Sequence, residues 1–103
     1  MLVVTEFGRT VAVNGTRGTD HGTATCAFLI GGAVRGGRVI ADWPGLATAD
    51  LYQQRDLKPS RDLRSVFKGV LAEHLGATES DLETKVFPES RNARPFDGLI
   101  RSA

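Results

Sequence analysis

A single cysteine, Cys26, stands among the 103 residues. That excludes an internal disulfide and a cysteine-rich metal cage. Aromatic residues make up only 7% of the chain, and no basic run alternates with them, so a nucleic-acid surface has no support. Excess charge of either sign is lacking too, since 13 basic and 12 acidic residues leave a formal net charge of +1. No acidic block marks a solvated tail. The longest apolar run, Ala24 to Val34, is broken by Thr25 and Gly31-Gly32. It falls short of the roughly 20 apolar residues that a membrane span needs. The N-terminus lacks the basic-then-apolar order of a signal peptide, so the chain itself carries no export address.

What is present is 41% apolar and 24% charged residues, the balance of a globular domain. The length suits one domain, or part of one, with a modest core. We expect a sheet and site loop over 1–42, a connecting loop over 43–59, a helical part over 60–88 and a tail over 89–103.

Leu2-Val3-Val4-Thr5 is a β-branched run with apolar residues on both faces, as in a strand covered on both sides. It starts abruptly, which suggests that the natural chain began earlier. Thr25 to Ile30 is a continuous apolar run closed by Gly31-Gly32 and predicts a strand in the middle of a sheet. Gly31 to Gly37 reads as a wide hairpin connection to a shorter strand over Arg38-Val39-Ile40-Ala41. Its paired glycines lack the Lys-Ser/Thr of a phosphate loop. A short strand is expected around Asp50-Leu51-Tyr52, and Gln53-Gln54-Arg55-Asp56 has the look of an exposed loop.

The main helix is predicted over about 61–76. Leu63, Val66, Phe67, Val70, Leu71 and Leu75 recur at i, i+3, i+4 spacing. Ser60 is the expected N-cap, with Asp62 in the first turn, and Gly76 the stop. A shorter helix over about 79–86 follows, opened by Thr78 with Asp81 three residues on, a variant of the capping box. Pro88 closes it. Pro95-Phe96 and Leu99-Ile100 are the apolar points at which the tail can dock. Cys26 reads as a buried apolar residue, and His74 as a structural residue near a helix C-terminus.

Chemistry gathers between Glu6 and Gly22. Asp20-His21 offers a carboxylate and an imidazole, both ligand types that a divalent metal accepts. The plainer alternative is a turn-capping Asp20 beside an exposed His21. Glu6 sits at the expected C-terminal end of the first strand, where ligands bind in open α/β sheets; otherwise it is an exposed strand-end carboxylate. Arg9 and Arg17 can meet an anionic substrate with planar guanidinium forks, or serve as local partners in the loop. Asn14-Gly15 signals a turn between them.

Thr5-Glu6-Phe7-Gly8-Arg9-Thr10, Gly18-Thr19-Asp20-His21-Gly22, Ile30 to Val39 and Asp42-Trp43-Pro44-Gly45-Leu46 together resemble the C-terminal part of the bacterial "domain of unknown function 1501" family. These are sulfatase-like proteins placed in the alkaline phosphatase superfamily, often exported by the twin-arginine route. The resemblance covers nearly the whole chain. It implies an α/β fold, the C-terminal portion of a doubly wound architecture, with a short mixed sheet. It implies a metal-dependent site for phosphate or sulfate esters, in which Glu6, Asp20 and His21 would be ligands to zinc, calcium or magnesium and Arg9 and Arg17 would bind the anion. Either Asp20-His21 is the superfamily's Asp-His-Gly metal pair, or His21 is its later single histidine and Glu6 stands where that pair normally sits. The parent would be exported to the periplasm or cell surface. The superfamily's nucleophile belongs to an N-terminal half that this chain does not contain, so the expected partner is that half and the chain alone should be inactive. Exposed strand edges would favour a homodimer. The alternative is a non-catalytic module that recognises an anion or a partner protein.

Overall fold

A computed structural model describes residues 1–101. It is a mixed α/β structure with two small antiparallel sheets and two helices. The chain divides into two compact units. One is Met1–Leu29 with Val39–Ser60, and the other is Ile30–Arg38 with the described part of Arg61–Ala103. The segment 30–38 thus belongs to the same unit as the helices and the tail, which chain order alone did not suggest.

In the first unit, β1 (Leu2–Val3) pairs with β4 (Phe28–Leu29), Leu2 opposite Leu29 and Val3 opposite Phe28. Side chains alternate across a strand. The Leu2 and Leu29 side is half-buried, and the Val3 and Phe28 side is exposed, Phe28 at 61%. The expected central strand over 25–30 is therefore one half of a two-stranded ribbon with an open face. Cys26 is exposed, not buried, because its neighbours in sequence lie outside the paired stretch. The second sheet joins β2 (Gly8–Arg9) to β3 (His21–Gly22). Two separate ribbons replace the single mixed sheet expected.

A 3₁₀ turn over Thr48–Asp50 and a bridge between Tyr52 and Asp56 stand where a strand was expected around 50–52. Arg38 to Ala41 forms no strand either. Val39 is 92% exposed, and no neighbouring backbone satisfies a ladder there.

In the second unit, α1 spans Leu63–Leu75. Its N-cap is Asp62, whose carboxylate accepts the Arg64 backbone N–H at 2.9 Å. Ser60 was expected in that role. The Arg64 side chain donates to the same carboxylate, so Asp62 has two reasons to hold the helix start where Ser60 has none. Gly76 ends the helix at φ +70, a left-handed conformation that glycine adopts without strain. α2 (Glu79–Asp81) is capped by the Thr78 hydroxyl, which accepts from the Asp81 N–H. It runs into a wider π turn over Leu82–Val86 that buries Leu82 completely and sets Phe87 6.0 Å from Phe67.

The tail docks as its apolar residues suggested. The Phe96 N–H donates to the Ser65 carbonyl, and a Cβ at Gly69 would collide with the Phe96 carbonyl oxygen. Only glycine admits that approach. Leu99 and Ile100 are buried, and 33–35 pairs with 99–101 through Arg35 N–H to Leu99 O and Arg101 N–H to Ala33 O. The glycine-flanked segment 31–37 is thus a partner for the tail and not a hairpin to a following strand. Lys68, fully buried, donates from Nζ to the carbonyls of Ser90 and Ala93 at 2.7 and 2.8 Å.

Candidate functional site

The register of β2 and β3 places Arg9 directly opposite His21. Two glycines make the close pairing possible. A Cβ on Gly8 would meet the Ala24 carbonyl, and one on Gly22 would lie 2.6 Å from the Arg9 backbone. Phe7 stacks on the His21 ring with centroids 3.8 Å apart and an interplanar angle of 24°. The Arg9 guanidinium carbon is 5.8 Å from the Phe7 centroid, within cation–π reach. Its Nη1 donates to the Thr19 carbonyl at 2.9 Å. Arg9, Phe7 and His21 therefore form one assembly on one face of the ribbon, with Arg9 and His21 exposed.

Asp20 is held differently. Its Oδ1 accepts from Asn14 Nδ2 at 3.0 Å, while its backbone exchanges bonds with Thr10 through the Thr10 N–H and the Thr10 hydroxyl. Asn14 in turn accepts from the Thr16 and Gly18 N–H groups, so the loop between the strands is folded on itself. Asn14 therefore caps this loop, and the Asp20 carboxylate is bonded to the Asn14 side chain. Arg17 sits in the left-handed region at φ 67, exposed at the loop tip. β1 ends at Val3, so Glu6 lies in the connection to β2 and not at a strand end. Glu6 lines, with Phe7, Gly8, Arg9 and Cys26 among others, a cavity of about 520 Å³.

The structure brings Arg9 and His21 together. It does not gather Glu6, Asp20 and His21 into a set of three ligands; among the described residues no group of three His, Cys, Asp or Glu side chains can hold a metal. The alternation of side chains along a strand sends Asp20 to Asn14 and His21 to Phe7.

Asp56 escaped the sequence reading. It is fully buried and accepts from the Thr23 hydroxyl at 2.6 Å and from Arg55 Nε and Nη2 at 3.0 and 3.2 Å. Its backbone bridges Thr10. Asp56 therefore ties down both segments of the site, next to Arg9 on one side and two residues past His21 on the other. The Arg55 fork, then the Thr23 hydroxyl, hold its carboxyl below the ordinary value of 3.8 against the opposing effect of burial. Arg55 is itself pushed further up by its bond to Asp56. Positive φ at Gln53 and Gln54 makes the tight turn that returns Asp56 to Tyr52. A polar tetrapeptide gives no sign of this, because burial here comes from a partner on a distant segment.

A family model described as "Protein of unknown function (DUF1501)" matches residues 1–87. No curated protein and no solved structure matches the chain.

Proposed function

The chain belongs to the DUF1501 family of proteins of unknown function, and we propose that it is the C-terminal part of a sulfatase- or phosphatase-like protein of the alkaline phosphatase superfamily. In this reading β2 and β3 form one wall of an oxyanion site, and the N-terminal half of the parent, an exported protein, supplies the nucleophile. The observation that carries it is the cross-strand pair of Arg9 and His21 over Phe7, with Glu6 beside it on the cavity rim. An arginine fork fixed at one end by a backbone carbonyl still presents donors to a sulfate or phosphate group. An imidazole held face-on by an aromatic ring keeps its orientation. Arg17 adds positive charge at the loop tip.

Among the described residues no group of three ligand side chains forms a metal site. A divalent metal, whether zinc, calcium or magnesium, enters this proposal only with further ligands from the N-terminal half; Glu6, Asp20 and His21 would then contribute singly.

The test is twofold. The chain alone should not hydrolyse aryl phosphate or aryl sulfate, and phosphate or sulfate should shift the His21 ring resonances in a saturable way. Arg9→Gln should weaken that binding by about tenfold. Hydrolysis by the isolated chain, or binding indifferent to Arg9, would sink the reading. The open apolar face of β1 and β4, with Val3 and Phe28 exposed, favours a second reading: a non-catalytic module that docks a partner protein or a second copy of itself.

A further inference from the structure

The glycine-flanked segment that pairs with the tail carries two arginines that the wall on β2 and β3 does not use. The Arg38 side chain crosses to the tail, donating from Nη2 to the Gly98 carbonyl and from Nε to the Arg35 carbonyl. The Arg35 guanidinium reaches the same glycine; a Cβ built on Gly98 would lie 3.6 Å from Arg35 Nη1. Gly98 adopts φ +80, so the turn that receives both side chains is one that glycine makes without strain. Arg101 lies two residues along the ladder from Leu99, the residue whose carbonyl accepts the Arg35 N–H.

Two like charges that converge on one residue repel, and among the described residues no carboxylate forms an ion pair with either guanidinium. The Glu73 carboxylate stands at the same corner, where it accepts the N–H groups of Gly98 and Leu99. That clasp fixes the backbone on which the two arginines meet. The Arg35 side chain forms no hydrogen bond with a described residue, so its donors face solvent; Arg38 uses two positions of its fork and leaves Nη1. The corner is therefore anchored by Arg38 and open at Arg35.

We propose that Arg35 and Arg38, converging on Gly98, form a binding site for a doubly charged tetrahedral oxyanion, a sulfate or phosphate group. Guanidinium forks match the oxygen spacing of such groups, and two cations match their charge. The site lies in the unit that contains α1 and does not depend on the reading of the wall formed by β2 and β3. The same group can arrive as a free anion or as an ester substituent.

The full chain, labelled with nitrogen-15, would be titrated with inorganic sulfate, inorganic phosphate and phenyl phosphate at constant ionic strength, with chloride as control. Saturable shifts at Gly98, Arg35 and Arg38 are expected with at least one of the three. Preference for the inorganic ions identifies a free anion as ligand, and preference for phenyl phosphate an ester. Arg35→Gln should weaken binding by about tenfold or more and leave the rest of the amide spectrum in place, because that side chain holds nothing in the fold. Arg9→Gln should leave the shifts at Gly98 intact. Linear, unsaturated shifts with all three probes would overturn the proposal. So would affinity unchanged in both Arg35→Gln and Arg38→Gln, or shifts at Gly98 lost in Arg9→Gln.

Discussion

Asp56 shows how one buried carboxylate can set the geometry of a site without belonging to its exposed face. Its pKa is lowered in the fold by Arg55 and Thr23. The sign follows: the stabilisation is fully present above the unfolded value of 3.8 and is lost as pH falls through the depressed folded value. Asp62, lowered chiefly by Arg64, adds to the same acid limb. Thermal unfolding followed between about pH 5 and pH 2 should show a falling Tm below about pH 4. Asp56→Asn should lower Tm at neutral pH and flatten, without abolishing, that fall. An acid limb as steep in Asp56→Asn as in the parent would contradict the assignment. Lys68 is the other buried charge among the described residues, and its partners are neutral carbonyls. Lys68→Met keeps the stem but leaves two buried acceptors without a donor. A loss of about 2–4 kcal/mol in denaturant unfolding is expected.

At the scale of the element, α1 was the most legible part of the chain, since its apolar spacing and Gly76 are local signals. Its start was displaced by two residues. Both Ser60 and Asp62 can cap a helix, and the choice fell to the one whose carboxylate also binds the Arg64 side chain. Asp62→Ala should therefore cost about 1 kcal/mol, with Ser60→Ala near neutral, by urea denaturation; the reverse order would restore Ser60 as the cap. Gly69 is the point where α1 meets the tail. Gly69→Ala places a methyl against the Phe96 carbonyl and should release the tail, read as loss of hydrogen-exchange protection at the Phe96 amide. The strands were less legible. Thr25 to Ile30 is apolar enough for a sheet interior, yet only Phe28 and Leu29 pair, and on one side only. An apolar run signals what a segment can bury, not how many neighbours it receives.

For the whole molecule, no described helix is long and apolar enough to cross a membrane, in keeping with the interrupted apolar run. Large apolar side chains remain exposed in the first unit, among them Phe28, Trp43 and Val39 at 61%, 64% and 92%. Open ribbon edges with such residues tend to pair. Light scattering over a concentration series should show self-association, reduced by Phe28→Asp; a monomer at high concentration would count against it. Family membership came from the motifs Glu6-Phe7-Gly8-Arg9-Thr10 and Asp20-His21-Gly22, and the family match over 1–87 agrees.

The sequence by itself determined what depends on neighbours along the chain: the body and stop of α1, the Thr78 cap and the turn at Asn14. These signals act over four or five residues, and no distant partner alters them. Tertiary structure alone decided that Arg9 faces His21, that Asp56 and Lys68 are buried, and that Arg35 and Arg38 meet at Gly98. Each of those depends on a pairing between residues far apart in the chain. An exposed-looking polar residue becomes a buried one only when the fold delivers its partner.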